Sequence, residues 1–421
     1  MQALISLSIA LLAGLMLSRL AKLAKLPAVT AYLVAGILVG PYCLGQLGLP
    51  GIGFISMADV ESYSIICDVA LGFIAFSIGN EFRMSQLKKT GRQAAIIGVF
   101  QALVTTVIVD IALIALHFIM PERLSLSAAI TLGAIATATA PAATLMVVRQ
   151  YKAKGELTDI LLPVVALDDA VGLIVFAVSF GVARALNTGA VDVISIIVEP
   201  IVEVVLSLLL GAAMGGLFTL CEQFFHSRSK RLSVSVTFVL LTVALSMLEF
   251  DVFGIHIAFS PLLVCMMLGT VFCNFCDFSE ELMDRAERWT APLLILFFVL
   301  SGAELELSVF TQTAVVITGI VYIVSRSLGK YTGAFLSAKS VKCSDKIVKY
   351  LGITLLPQAG VALGMATEVG TLGPEGQIVA NITLFAVLIY ELVGPVLTKN
   401  ALLKSGDIKP EGRLSARQKT V

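Results

Sequence analysis

The sequence has little charge, almost no tryptophan and few histidines. Only 14% of its 421 residues are charged, 58% are hydrophobic, and there are one Trp and three His. Soluble globular proteins carry about 25% charged residues. The composition therefore excludes an ordinary soluble domain and predicts an all-α polytopic membrane protein. Basic and acidic residues balance at 29 each, which argues against nucleic acid as a partner.

The sequence also lacks the motifs of several enzyme classes. It contains no G-x-S-x-G, no H-E-x-x-H and no P-loop, so we expect neither enzymatic activity nor ATP as the driving force. Cys273 and Cys276 form a single C-x-x-C without a second pair, whereas a zinc site needs about four ligands. We therefore expect no cofactor. We interpret Cys273 and Cys276 as small residues at a helix end. The alternative is that this cysteine pair binds a metal or is redox-active.

What the sequence does contain is a succession of long apolar segments. A helix needs about 20 apolar residues to cross the bilayer, and we predict about thirteen such transmembrane helices. Their predicted ranges are 2–20, 27–44, 62–82, 93–119, 125–149, 157–184, 193–225, 233–249, 253–273, 289–302, 311–337, 347–369 and 376–398.

The positions of the basic residues predict the orientation. All but four of the 29 Lys and Arg fall in loops on one side if the N-terminus is outside and the C-terminus is cytoplasmic, as the positive-inside rule requires. The exceptions are Arg123 and Arg184 in outside loops, and Arg326 and Lys330 within the eleventh helix. Residues 403–421 are expected to form a short cytoplasmic tail without a regulatory domain.

Two predicted helices carry matching interruptions. Pro141, in ATATAPAATL, breaks the fifth helix, and Pro357, in LLPQAGVALG, breaks the twelfth, because proline removes a backbone donor and clashes with the preceding turn. The two prolines fall at equivalent positions when helices four to six are aligned with helices eleven to thirteen. The second set runs through the membrane in the opposite direction, so the repeat is inverted. One such break indicates only a kinked helix, but two in an inverted repeat are typical of a transporter's binding site. The polar and flexible positions beside the breaks are Thr137, Thr139, Gln358 and Gly360.

Asp168 and Asp169 are adjacent inside the apolar run LLPVVALDDAVGLIVFAV. They lie about 15 Å along the helix from Thr158, near the middle of the membrane. Adjacent helical positions diverge by about 100°, so we expect one carboxylate to bind an ion and the other to face a fixed cation. Desolvation favours the protonated carboxyl, and H⁺ can then compete with a monovalent cation for one site. The structural alternative is one salt-bridged Asp and one that caps a break.

Other charged side chains lie at similar depths. Arg326 is predicted to neutralise Asp168 or Glu391, or to balance partial charges at a helix break, because arginine stays protonated. Lys330, one turn nearer the cytoplasm, is expected to snorkel to the surface. Glu391 is predicted to be a structural ion-pair member. Asp68 in the third helix is predicted either to line a funnel or to pack against a polar neighbour.

Six segments together resemble the bacterial monovalent cation:proton antiporters of the second subfamily, the Na⁺/H⁺ and Kef-type K⁺/H⁺ exchangers. The segments are LLPVVALDDAVGLIVF, ATATAPAATL, LLILFFVLSGAELELSVF, SRSLGKYTGAFL, LLPQAGVALGMA and YELVGPVLTKNAL. The resemblance covers essentially the whole chain in order. The resemblance implies the sodium/proton antiporter fold, in which two discontinuous helices cross in a six-helix core domain beside a dimerisation domain.

The resemblance also implies roles for single residues. The family's ion-binding aspartate falls on Asp169. The preceding position is Asp in electrogenic sodium exchangers and Asn in many electroneutral ones, and here it is Asp168. The core basic residue is often Lys in the former and Arg in the latter, and here we expect it to be Arg326. This combination mixes the two patterns and leaves the number of protons per cation open.

The resemblance divides the chain and predicts its activity. The expected parts are 1–91 (dimerisation helices one to three), 92–187 (core helices four to six), 188–308 (a linker helix and dimerisation helices seven to ten), 309–402 (core helices eleven to thirteen) and 403–421 (tail). The predicted function is exchange of Na⁺, or of K⁺ or Li⁺, for H⁺ by a homodimer with an elevator-like core in the bacterial inner membrane. A gated cation channel and a sodium-coupled symporter of an organic solute are the alternatives.

Overall fold

A computed structural model of the protein describes residues 2–24, 26–48, 53–79, 82–188, 199–248, 250–252, 255–304, 310–369 and 374–409. Within these residues the chain is built almost entirely from helices. In chain order they are α1 (Gln2–Leu23), α2 (Ala28–Val39), α3 (Met57–Glu61), α4 (Ser64–Gly79), α5 (Met84–Ile119), α6 (Leu126–Ile135), α7 (Pro141–Gln150), α8 (Glu156–Thr188), α9 (Glu199–Gln223), α10 (Arg228–Ser246), α11 (Pro261–Phe275), α12 (Ser279–Ala303), α13 (Thr313–Ser340), α14 (Asp345–Thr354), α15 (Gly360–Glu368) and α16 (Pro374–Ser405).

Short elements accompany the helices. A 3₁₀ turn covers Leu44–Leu47, and strands β1 (Phe250–Val252) and β2 (Ile255–Ile257) pair antiparallel with Asp251 opposite His256. Nine stretches among the described residues are long and apolar enough to cross a membrane, and three shorter apolar helices accompany them. The chain is therefore a polytopic, helical membrane protein, as predicted. The count of thirteen transmembrane helices stays a prediction.

The chain forms two compact units. The first unit comprises Met1–Leu17, Tyr32–Lys89 and Leu173–Leu307, and the second comprises Ser18–Ala31, Thr90–Gly172 and Ser308–Val421.

Small residues bring the helices of the first unit close together. A Cβ atom at Gly269 of α11 would lie 2.1 Å from the backbone oxygen of Phe76 in α4. Only glycine allows these backbones to approach so closely, which is the usual device of helix packing in membranes. The rings of Phe218 and Phe272 stack beside this contact, with their centroids 4.1 Å apart.

The second unit contains both interrupted helices. The fifth predicted helix is observed as α6 and α7, and the twelfth as α14 and α15, so the predicted breaks are confirmed. Pro141 is the first residue of α7, where its missing N–H costs nothing. The two connecting segments, 136–140 and 355–359, are joined by a hydrogen bond from the Ala140 N–H to the Pro357 carbonyl, 2.9 Å long. We call this meeting point, made of these two segments, the crossing.

The remaining helices of the second unit enclose the crossing. α16 packs against α6, α7, α14 and α15, and α13 packs against α14 and α16. α5 approaches α13 at Gly333, where an added Cβ would lie 2.8 Å from the Cα of Gln101. This close approach brings the polar side chains of α5 and α13 to the same depth as the crossing.

Candidate ion-binding site

A fully buried ion pair lies at the crossing. Asp168 projects from α8, and its Oδ2 is 2.6 Å from Nζ of Lys330 in α13, with both side chains 0% exposed. Each charge alone would be strongly destabilised in such a place, and the two compensate one another only when their remaining hydrogen bonds are satisfied. The surroundings of the pair therefore decide whether it is stable.

The carboxylate of Asp168 has two further donors. Nε2 of Gln101 in α5 donates to Oδ1, and the hydroxyl of Thr139 in the crossing donates to Oδ2. The ammonium of Lys330 also donates to the carbonyl of Thr137, at 2.5 Å, and to Oγ1 of Thr139, at 2.9 Å. The charged forms of both partners are thus hydrogen-bonded on several sides, which favours a buried Lys⁺–Asp⁻ pair.

Arg326 lies one turn before Lys330 and holds the crossing together. Its guanidinium donates to the carbonyls of Ala136 (3.0 Å) and Ala138 (2.7 Å) in the first connecting segment and of Leu356 (2.7 Å) in the second. The side chain is fully buried, and the ring of Tyr390 lies 4.5 Å from its Cζ. The last carbonyls of a helix have no partner within it and carry partial negative charge. Because α6 and α14 both end here, a permanent cation stabilises the two ends together.

Gln358 provides another contact across the crossing. Its Nε2 donates to the carbonyl of Ile135, at 3.0 Å, and is 2.9 Å from the hydroxyl of Tyr322 in α13. Its Oε1 is buried and has no hydrogen-bond partner among the described residues. An amide oxygen of this kind is a ligand that hard cations prefer.

A family comparison identifies the protein. A family model described as "Sodium/hydrogen exchanger, transmembrane" matches residues 7–404. The chain belongs to this family. The predicted membership of a cation:proton antiporter family is therefore confirmed, and the chain is a secondary cation:proton antiporter of the membrane. The channel and organic-solute symporter alternatives are not favoured.

Individual relatives of this exchanger agree with the assignment. The K⁺/H⁺ antiporter subunit KhtU of Bacillus subtilis is 25% identical over 378 residues, which are 88% of this chain and 86% of the relative. The high-affinity Na⁺/H⁺ antiporter NhaS3 of Synechocystis is 24% identical over 393 residues, or 83% of this chain and 79% of the relative. The solved structure of the sodium proton antiporter MjNhaP1 from Methanocaldococcus jannaschii at pH 8 superposes with a TM-score of 0.70 at 19% identity, over 98% of this chain and all of that one. This likeness confirms the predicted fold.

The structure corrects the predicted partner of Asp168 in this exchanger. Lys330, predicted to snorkel to the surface, forms the buried pair. Arg326, predicted to neutralise Asp168 or Glu391, instead takes its third predicted role and balances the ends of the broken helices. The physical reason is the shape of the head groups. The planar guanidinium suits three diverging carbonyls, while the compact ammonium suits one carboxylate and its neighbours.

The other predicted residues of the exchanger lie as follows. The hydroxyl of Thr137 turns back to the Ala134 carbonyl at the end of α6, at 2.7 Å, so its carbonyl and not its side chain meets Lys330. Glu391 is 5% exposed in α16, and Gly360 is the first residue of α15. The backbone of Asp169 continues α8, but its side chain lies outside the described residues, so its predicted role stays a prediction.

Asp68 of the exchanger belongs to the first unit, where it is half-buried on α4. Its predicted place in a funnel stays a prediction. It lies near Glu304, which follows the last residue of α12 outside the membrane-spanning segment. Burial, together with the negative charges of Glu61 and Asp68, raises the pKa of Glu304 above its ordinary value of 4.5.

Sequence reasoning missed three residues of the site. Gln101, Tyr322 and Tyr390 surround the crossing from α5, α13 and α16. Gln101 had a visible signal, since it is an uncharged polar residue in the apolar run AAIIGVFQALVTTVIV. A polar side chain at that depth requires a partner, but the sequence does not indicate which one.

Proposed function

We propose that this chain exchanges Na⁺ for H⁺ by alternating access, with K⁺ and Li⁺ as alternative cargoes. The observation that carries the proposal is the buried Lys330–Asp168 pair at the crossing of two broken helices. The second unit contains every residue of that site and is proposed to be the transport core. The first unit is proposed to be the dimerisation domain of a homodimer in the bacterial inner membrane, with the N-terminus outside and the C-terminus in the cytoplasm.

Asp169 is proposed to bind the cation and the proton in turn. It follows Asp168 on α8, and adjacent positions of a helix diverge by about 100°. Asp168 is held by Lys330, Gln101 and Thr139, which supports a division of labour between the two carboxylates. In this proposal Asp168 remains an anion throughout, and Gln358 contributes its buried amide oxygen to the cation.

Lys330 is proposed to determine whether each exchange cycle moves net charge across the membrane. Exchange of the Asp169 proton alone gives one H⁺ per Na⁺ and no net charge. When Lys330 also releases its proton as the cation arrives, two H⁺ exchange for one Na⁺ and one charge moves per cycle. We propose the second scheme, because a buried lysine can lose its proton whereas an arginine does not. The combination of Asp168 with Lys330 is also the one that the resemblance associates with electrogenic sodium exchangers.

Arg326 is proposed to keep the crossing intact during the cycle. Its three carbonyl contacts join both connecting segments, so the ends of α6 and α14 remain compensated whichever ion is bound. A permanent charge suits this task, because the crossing must not lose its support when protons leave the site.

Purified protein reconstituted into liposomes with an imposed pH gradient tests the function. Addition of Na⁺ is expected to dissipate the gradient, K⁺ and Li⁺ report the selectivity, and the Asp169→Asn variant is expected to be inactive. Asp277→Asn is the matched control, since Asp277 is exposed and distant in sequence from the crossing. The proposal is wrong if none of the three cations dissipates the gradient, or if Asp169→Asn exchanges at the rate of the control.

The same liposomes test the rival functions. A channel would pass cations many times faster than an exchanger and without proton counterflow. A symporter would take up Na⁺ only when an organic solute is added. Chemical cross-linking of the protein in the native membrane tests the homodimer, and labelling of cysteines introduced near each terminus tests the orientation.

A further inference from the structure

A groove opens at the end of a membrane-spanning helix of the second unit. It lies between the last turns of α13 and the first turns of α14 and has a volume of about 470 Å³. It is lined by Tyr331, Phe335, Lys339, Cys343, Asp345, Val348 and Lys349. Nothing in the exchange mechanism uses these residues.

The α13 side of the groove changes from apolar to charged along its length. Tyr331, Phe335 and Lys339 follow one another at four-residue spacing and therefore form one stripe, about 12 Å long. The rings of Tyr331 and Phe335 stack with centroids 6.2 Å apart, and Nζ of Lys339 lies 5.9 Å from the Phe335 centroid. Leu328 and Leu336 of the same helix are 55% and 52% exposed, as expected of a spanning helix that faces lipid.

The outer end of the groove is positively charged. Four lysines and one acid, Asp345, lie within the eleven residues from 339 to 349. Lys339 and Lys349 line the groove from opposite sides, and both are exposed. The charged end lies where α13 ends, which is the level of the lipid head groups for a spanning helix.

We propose that this groove binds one anionic phospholipid, with its phosphate between Lys339 and Lys349 and an acyl chain along Tyr331 and Phe335. The apolar-to-basic gradient matches the polarity of such a lipid, aromatic rings are favoured at the membrane interface, and each nearby lysine strengthens binding to an anionic head group. The lipid would connect α13 with α14, the helix that leads into the crossing.

The groove is coupled to the site through its innermost residue. Tyr331 follows Lys330 in the chain, and a Cβ at Gly352 of α14 would lie 2.6 Å from the Cα of Tyr331. The two helices are therefore in backbone contact next to the buried pair. A lipid that holds α13 against α14 would support the arrangement of Lys330 and the end of α14.

Lipid binding to the purified full-length protein tests the proposal. Native mass spectrometry with phosphatidylglycerol and with phosphatidylcholine is expected to show preferential retention of phosphatidylglycerol. Replacing both lysines, Lys339→Gln with Lys349→Gln, should weaken phosphatidylglycerol binding by roughly tenfold or more. The control is Lys22→Gln with Lys154→Gln, two exposed lysines elsewhere in the chain, which should leave binding unchanged. Equal loss in both double variants, or none in the first, overturns the proposal.

Cys343, a natural cysteine of the groove, gives a second readout. Burial raises the pKa of the Cys343 thiol, so alkylation is run at mildly alkaline pH and followed at this one peptide by mass spectrometry. In nanodiscs, phosphatidylglycerol is expected to slow the modification of Cys343 relative to pure phosphatidylcholine, and the Lys339→Gln with Lys349→Gln variant should lose the difference. The same rate in both lipids overturns the proposal whether or not the protein transports ions.

Discussion

The buried pair makes a quantitative prediction about the Lys330→Gln variant. The substitution removes an ammonium that lies 2.6 Å from the Asp168 carboxylate, where both side chains are 0% exposed. It also removes the donors to the Thr137 carbonyl and the Thr139 hydroxyl. Among the described residues, the Asp168 carboxylate then keeps only its contacts to Gln101 and Thr139, and it becomes an uncompensated buried charge.

The size of the effect follows from the burial. Removing one partner of a buried ion pair costs about 3–5 kcal/mol of unfolding free energy, because the other charge remains in a medium that solvates it poorly. Asp168→Asn should cost a similar amount for the same reason. The double variant carries neither charge, so its cost should fall short of the sum of the single costs by about 2 kcal/mol or more. An exposed control, Lys404→Gln, should stay within about 0.5 kcal/mol of the parent.

Unfolding in detergent solution, titrated with a denaturing detergent and followed by circular dichroism, gives these four free energies. Measurements are made without added Na⁺, so that cation binding does not contribute. The reasoning is refuted if Lys330→Gln behaves like Lys404→Gln, or if the costs of Lys330→Gln and Asp168→Asn simply add in the double variant. Additive costs would mean that the two charges do not stabilise each other.

Further predictions concern the crossing and the first unit. Gly394→Ala should cost about 1–3 kcal/mol and slow exchange, because the new Cβ would lie 2.9 Å from the Cα of Pro357. Gly364→Ala is the control: among the described residues no atom lies within 4 Å of the new Cβ, so this variant should be neutral or stabilising in the same assays. Arg326→Lys should destabilise by about 3 kcal/mol, because one ammonium does not replace three guanidinium bonds to diverging carbonyls. The pKa of Glu304 is higher in the folded protein than its ordinary value, so protonation of Glu304 stabilises the folded state. This stabilisation is complete at pH values below the ordinary pKa and is lost as pH rises through the pKa of the folded protein. Glu304→Gln should therefore raise the unfolding midpoint at alkaline pH and leave it unchanged near pH 4. Equal shifts at both pH values would contradict this.

The sequence was sufficient to predict features that depend on the depth of a residue in the membrane and on local chemistry. The two breaks followed from Pro141 and Pro357, because a proline acts on the turn immediately before it. The burial of Asp168 followed from its position within a long apolar run. Both inferences need only the distance along one helix, which the sequence gives directly.

The sequence did not predict in the same way which side chains on different helices contact each other. Arg326 and Lys330 lie on one face of α13, four residues apart, and both were placed within the membrane. Which of them meets Asp168 depends on how α13 is rotated against α8 and the crossing, and no residue pattern in α13 alone specifies that. Gln101 was missed for a related reason, since its partner is 67 positions away in the chain and only the packing of α5 brings the two together.

The most direct test of the central proposal is to record charge movement and pH change together in liposomes that contain the exchanger. For the parent protein we predict that a Na⁺ gradient drives proton flux with a net current, and that an imposed membrane potential changes the rate. For Lys330→Gln, reconstituted to the same density, we predict that exchange carries no net current. A parent protein that exchanges without current and is insensitive to the potential would contradict the proposed role of Lys330. A Lys330→Gln variant that moves the same charge per cycle as the parent would contradict it as well.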